Sequence, residues 1–366
     1  QRSQRDQQSA NRTFTNAVYL TAVFAVFFVL IGIFFSGPIL SLFNTDEKVF
    51  AMSKTYLQVI LLFAPAFLMN NVLLCFVRND GAPQLSMAAM IGGSLSNVAL
   101  DWVFIFPFKM GIFGAVLATG LAPIISIIIL SPHFLRKRNQ FHFVKNKPEG
   151  KKLAGILSTG IPALITEASS GIVMIVFNAI ILRLEGSTGV AAYGIIANVS
   201  LVIISIYTGI AQGIQPILSR SYGEKSLSNI TSILRYAMAT MLILSACIYA
   251  IIFFGASQIT GIFNSENNAF LQSIATEGFY LYFTACPFVG FNIIISVYFT
   301  SCAHARSAHI VSLLRGFLVI IPMAFLLAQI GRMYGVWCAF PATELLVAAI
   351  GLFFYFVTKK QLKRQF

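Results

Sequence analysis

Apolar runs too long for the interior of a soluble domain recur along this chain, and they constrain its fold more than any other feature. They lie near residues 14–36, 56–77, 84–106, 111–131, 153–182, 189–218, 232–256, 277–302, 308–330 and 334–358. As helices they reach the roughly 20 residues that span a hydrocarbon core. In lipid every backbone polar group must be satisfied internally, which leaves helices or a closed barrel. Barrel strands would alternate polar and apolar residues in segments of about ten, and these runs do not. The expected fold is therefore an all-α integral membrane protein of about ten transmembrane helices. Only 10% of the residues are charged and mean hydropathy is +0.82, whereas soluble chains carry about 25% charged residues.

The net charge of +13 sits in short connections, where Lys and Arg set membrane orientation. Arg2, Arg5 and Arg12 precede the first run, and Lys359, Lys360, Lys363 and Arg364 follow the last. Between Pro132 and Lys152 lie Arg136, Lys137, Arg138, Lys145, Lys147, Lys151 and Lys152 against Glu149 alone. Both termini and this loop are expected on the cytoplasmic side of a plasma membrane, the inner membrane in a bacterium. No basic surface remains for nucleic acid, and the same charges suit anionic lipid headgroups. The five cysteines stand singly, which indicates neither a zinc site nor a disulfide framework. Phosphate-loop, HExxH and GxSxG patterns are absent, so no enzyme and no cofactor is expected, and any work must draw on an ion gradient.

The chain also repeats itself. Ile39 Leu40 Ser41 Leu42 Phe43 Asn44 recurs as Ile259 Thr260 Gly261 Ile262 Phe263 Asn264, at an offset of 220. Pro65 recurs as Pro287, and Gly114 with Ala118 as Gly335 with Ala339, at offsets of 222 and 221. Matches in one order at nearly one offset imply two lobes related by a parallel repeat. The expected division is a partial N-lobe of four helices at 1–131, a basic cytoplasmic linker at 132–152, and a six-helix C-lobe at 153–366. The two helices between 153 and 218 have no partners upstream, so the N-lobe is read as lacking its first two helices.

An ionisable group at membrane depth costs at least about 2.5 kcal/mol and is by default a functional hypothesis. Asp101, Glu167 and Glu344 qualify. Asn97 lies one helical turn from Asp101 on the same face. Across the tight turn from Pro107 to Gly111, Thr119 mirrors to their level. A carboxylate, an amide and a hydroxyl together suit Na+, a hard cation that takes oxygen ligands, and a desolvated Asp101 also suits a proton. At offsets of 221 or 222, Asn97, Asp101 and Thr119 fall on Leu318 or Val319, Pro322 or Met323, and Phe340 or Pro341. The site is thus confined to the first lobe, whereas polar packing glue would be expected in both. Glu167, one turn beyond a helix break expected at Pro162, suggests the wall of a water-accessible cavity that attracts cations, with a kinked packing helix as the structural alternative. Tyr193, Asn198, Gln212 and Gln215 are candidates for the same wall, and a second break is expected at Pro216. Glu344 has no polar neighbour in sequence but Thr343. Arg315 is expected to snorkel to the membrane surface.

Several stretches resemble the multidrug and toxic compound extrusion (MATE) family of antiporters. They are Gly209 Ile210 Ala211 Gln212 Gly213 Ile214 Gln215 Pro216 through Gly223, Gly160 Ile161 Pro162, Asn97 Val98 Ala99 Leu100 Asp101, and Gly111 through Thr119. The similarity runs from residue 14 to about 358. It implies secondary active efflux of amphipathic cationic drugs or toxins in exchange for Na+ or H+. It further implies cation coupling at Asp101, Asn97 and Thr119, and coupling or substrate binding at Glu167. The family's first two helices, with an acidic residue on the first, have no counterpart here. The competing readings are a lipid-linked oligosaccharide flippase, for which Arg315 is the basic candidate, and a transport-incompetent membrane scaffold. Oligomeric state is left open.

Overall fold

The computed structural model describes residues 7–41, 47–137, 139–145, 147–264 and 267–365. Arg2, Arg5, Leu42, Phe43, Asn44 and Arg138 lie outside the described residues. Those described form helices and no strand. In order they are α1 (Gln7–Phe34), α2 (Ser36–Ser41), α3 (Glu47–Leu62), α4 (Ala64–Asn79), α5 (Pro83–Ile105), α6 (Gly111–Leu135), α7 (Gly150–Gly223), α8 (Leu227–Phe263), α9 (Ala269–Tyr282), α10 (Cys286–Ser301), α11 (Ala305–Leu313) and α12 (Ile320–Gln365). They gather into two compact units, residues 1–156 and 157–366.

The two longest helices, α7 with 74 residues and α12 with 46, are each interrupted once. α7 breaks at Gly186 (φ 66°, ψ −156°) and α12 at Arg332 (φ 49°, ψ −128°). With the parts of α7 on either side of Gly186 counted separately, the parts of the Ala305–Arg364 stretch on either side of Arg332 likewise, and the α3–α4 pair, bent by 47°, taken as one span, the described residues hold ten candidate crossings. The expected breaks at Pro162 and Pro216 are not there: α7 runs through both prolines. A proline removes one hydrogen bond, which a membrane helix tolerates. Gly186 instead holds a backbone conformation that essentially only glycine adopts cheaply.

The repeat is visible in these irregularities. The bend between α3 and α4 at Phe63–Pro65 recurs as the 3₁₀ turn Phe283–Ala285 ahead of Pro287. Gly111, which opens α6 at φ 58°, recurs 221 residues on as Arg332. The break inside α12 is therefore the second lobe's copy of the turn between α5 and α6. The long apolar side chains of Leu95, Val98 and Trp102 on α5, and of Phe253, Phe254 and Ile262 on α8, are exposed, as lipid-facing positions require.

The basic linker is laid along the start of α1. Successive linker amides donate to α1 side chains: His142 N to Asn11 Oδ1, Val144 N to Thr15 Oγ1 and Glu149 N to Asn16 Oδ1, each at 3.0 Å. Gln7 Nε2 donates to the Gln140 carbonyl. Glu149, the linker's lone acid, pairs with Arg12 at 3.7 Å and Lys152 at 3.2 Å.

Beneath the linker lies a buried carboxylate–imidazole hydrogen bond that the sequence reading missed. Asp80 Oδ2 accepts from His133 Nε2 at 2.8 Å and from Gln140 N at 2.9 Å. The two side chains are 2% and 5% exposed. Asp80 sits in the turn before Pro83, where Gly81 takes φ 86°, and it ties α4, α6 and the linker together. Removing one member of a buried hydrogen-bonded pair strands the other in low dielectric. Asp80→Ala leaves the His133 ring and the Gln140 amide without their acceptor and is therefore expected to destabilise the protein by about 1–3 kcal/mol, read as a lowered midpoint in thermal unfolding of detergent-solubilised protein. A midpoint equal to wild type would mean that the pair does not hold the linker.

Candidate functional site

The first unit presents its site between α5 and α6. These helices pack closely because small residues face each other. A Cβ on Gly93 would lie 3.2 Å from the Ala122 carbonyl oxygen and from Ser126 Cβ, and one on Gly114 would lie 2.9 Å from Phe104 Cβ. The turn between them, with Lys109 and Gly111 at positive φ, folds α6 back along α5. Asn97 Nδ2 then donates to Thr119 Oγ1 at 3.5 Å, while the Thr119 hydroxyl donates to the Ala115 carbonyl at 3.0 Å. With its proton spent on its own helix, the Thr119 oxygen presents lone pairs outward. Asp101, one turn along α5, has a buried Oδ1 without a hydrogen-bond partner. A buried acceptor without a donor costs about 1–3 kcal/mol, and a cation or a proton is what would relieve it.

Of the second-lobe candidates, Tyr193 does not line a cavity wall. Glu167 is exposed on α7, Gln215 is half-buried, and Pro162 is buried. Tyr193 is 4% exposed, stacked on Phe177 at 5.4 Å and 6.4 Å from Trp337. Its sequence neighbours gave no sign that it points into its own lobe's core.

Two readings from sequence are corrected here. Arg315 does not snorkel: its Nε donates to Glu344 Oε1 at 2.5 Å, and the side chains are 15% and 1% exposed. Glu344 does have polar neighbours. Asn292 Nδ2 donates to Glu344 Oε2 at 2.7 Å and to the Glu344 carbonyl at 2.9 Å. Asn292 and Arg315 come from α10 and from the turn before α12, and only folding brings them to Glu344. The signal was nonetheless available. The mirror argument that set Thr119 level with Asn97 and Asp101, applied about residue 330, the copy of residue 109 at an offset of 221, sets Arg315 level with residue 345, beside Glu344. With its charge taken up by Glu344, Arg315 is not the free cation that pyrophosphate binding by a flippase would need.

The chain matches the MatE family model over residues 3–103 and 162–326. It is 25% identical to the multidrug export protein MepA of Staphylococcus saprophyticus over 342 residues, 93% of this chain and 75% of that protein. For MepA of Staphylococcus aureus the identity is 23% over 348 residues, 94% of this chain and 76% of the relative. Among solved structures, an outward-facing multidrug resistance MATE family transporter of the MOP superfamily superposes with a TM-score of 0.91 at 22% identity, covering 99% of this chain and 81% of that one. A MOP superfamily transporter from Pyrococcus furiosus, described as having a binding pocket of reverse polarity, gives the same score, identity and coverage.

Proposed function

Because the chain belongs to the MatE family of multidrug efflux transporters, we propose that it exports amphipathic organic cations across the cell membrane in exchange for Na+ or H+, by alternating access. One observation carries this reading: Asp101 keeps a buried, donor-less carboxylate oxygen one helical turn from Asn97, which is itself joined to Thr119. An ion bound there would meet a negative charge and neutral oxygens, as a hard monovalent cation prefers, and a proton would satisfy the same oxygen directly. Coupling follows only if the ion favours one conformation over the other, since equal affinity for both shifts nothing. The exposed carboxylate of Glu167 in the second unit supports attraction of cationic cargo, and the relatives named as multidrug export proteins support the cargo class. The basic linker and the basic stretch at the C-terminus support a cytoplasmic position for both.

The test is efflux of a fluorescent cationic dye from cells expressing the chain, under imposed Na+ and H+ gradients. Efflux that accelerates with one inward gradient and stops on its collapse is expected, and the effective gradient names the ion. Dye retention by well-inserted protein under both gradients would sink the reading.

A further inference from the structure

The ion pair in the second unit stands at a junction that the first unit builds without charge. At an offset of 222, Asn292, Arg315 and Glu344 fall on Asn70, Gly93 and Ala122. In the first unit Gly93 lies against the Ala122 backbone, so two small residues close the same helix junction. Charge is thus not required to pack helices there. In both lobes the asparagine keeps a buried Oδ1 with no donor, Asn70 in one and Asn292 in the other. Only in the second lobe has a carboxylate been placed beside it, with an arginine over the carboxylate.

Local structure marks Arg315 as the movable member. It lies in a π-helical turn, Leu314–Leu318, closed by the Val319 amide donating to the Leu314 carbonyl at 3.0 Å. Such a turn holds one residue more than an α-helical turn, and π-bulges concentrate at functional sites. Moving the extra residue along the helix would rotate Arg315 by about 100°. Gly316, the next residue, lies directly against Ser169 of α7, two positions from Glu167. Arg315 is also the more exposed partner, at 15% against 1% for Glu344. Around the pair stand aromatic surfaces: Tyr282, within electrostatic reach of both Glu344 and Arg315, is stacked on Phe340 at 4.5 Å.

We infer that Glu344 is a binding site for the N–H-bearing cationic group of the cargo, an amidinium or guanidinium, and that Arg315 is the internal cation it replaces. The inference rests on the efflux reading above for the word cargo, but the site is defined by binding alone. A planar amidinium reproduces the donor geometry that Arg315 offers to the carboxylate. With several N–H groups it can also supply the donor that Asn292 Oδ1 lacks.

The probe is benzamidine, compared with tetraphenylphosphonium, a cation that has no N–H. Binding is measured on the purified full chain in detergent. Arg315→Gln removes the competing cation and is expected to tighten benzamidine about tenfold relative to tetraphenylphosphonium. Arg315→Gln combined with Glu344→Gln leaves no stranded charge and is expected to lose benzamidine binding. Should Arg315→Gln fail to fold, Arg315→Lys keeps the charge without the planar fork and must shift benzamidine in the same direction. An unchanged preference in the single variants, or wild-type benzamidine binding in the double variant, overturns the inference and leaves the pair purely structural. Failure of the efflux reading would show separately, as dye retention by wild-type cells.

Discussion

Asp101→Asn is expected to abolish gradient-driven efflux while the protein still folds and inserts. The substitution keeps the shape of the side chain and removes its charge. No donor meets Asp101 Oδ1 for the substitution to remove, and a neutral amide at membrane depth avoids an insertion cost of at least about 2.5 kcal/mol. What disappears is the ion's partner. To carry a two-state transporter from 1:99 to 99:1 an ion must prefer one state by about 10⁴-fold, and Asn97 and Thr119 alone offer only neutral oxygens. Efflux should fall to the level of cells lacking the transporter, with membrane abundance unchanged on a blot. Thr119→Val, which removes one neutral ligand, should weaken ion dependence rather than erase it, seen as a higher ion concentration for half-maximal efflux. Gradient-driven efflux that survives in Asp101→Asn would remove the first-lobe site from the mechanism.

Glu344→Leu should strongly destabilise the second unit. It strands Arg315, 15% exposed and at membrane depth, and leaves the Asn292 amide without its carboxylate acceptor. Breaking a buried pair from one side costs about 3–5 kcal/mol. Arg315→Met with Glu344→Leu should recover most of that loss, because the first lobe closes the same junction with Gly93 and Ala122. Thermal unfolding of the purified single and double variants reads both effects. A double variant no more stable than Glu344→Leu would mean that the pair, and not merely its neutrality, holds α10 to α12. The contrast with benzamidine binding is informative: stability should return in a charge-free double variant, and binding should not.

The spacing of apolar residues was enough to read the helical crossings, because lipid admits only helices or closed barrels, and the repeat was read from Pro65 with Pro287 and Gly114 with Gly335, matches that lie along the chain itself. The Asn97–Thr119 contact was legible for the same reason. Two helices joined by a tight turn must run back along each other, so mirror positions meet. The prolines misled because a missing hydrogen bond is cheap to tolerate, while Gly186 carried no polar flag to mark it as the break. Asp80 and His133, 53 residues apart, and Asn292 and Glu344, 52 apart, belong to helices that share no turn, so no local spacing relates them.

The sequence by itself determined that this is a helical membrane protein of duplicated design, where its crossings fall, and that Asp101 sits one turn from Asn97. Those properties depend on hydrophobicity and on helical period, which are local. Only the tertiary structure decided that Arg315 is spent on Glu344, that Tyr193 faces its own core, and that the linker is tied to α1 and Asp80. Each of these depends on which faces of distant helices meet, and burial makes that meeting decisive: a charge removed from water must find its partner wherever the fold puts it.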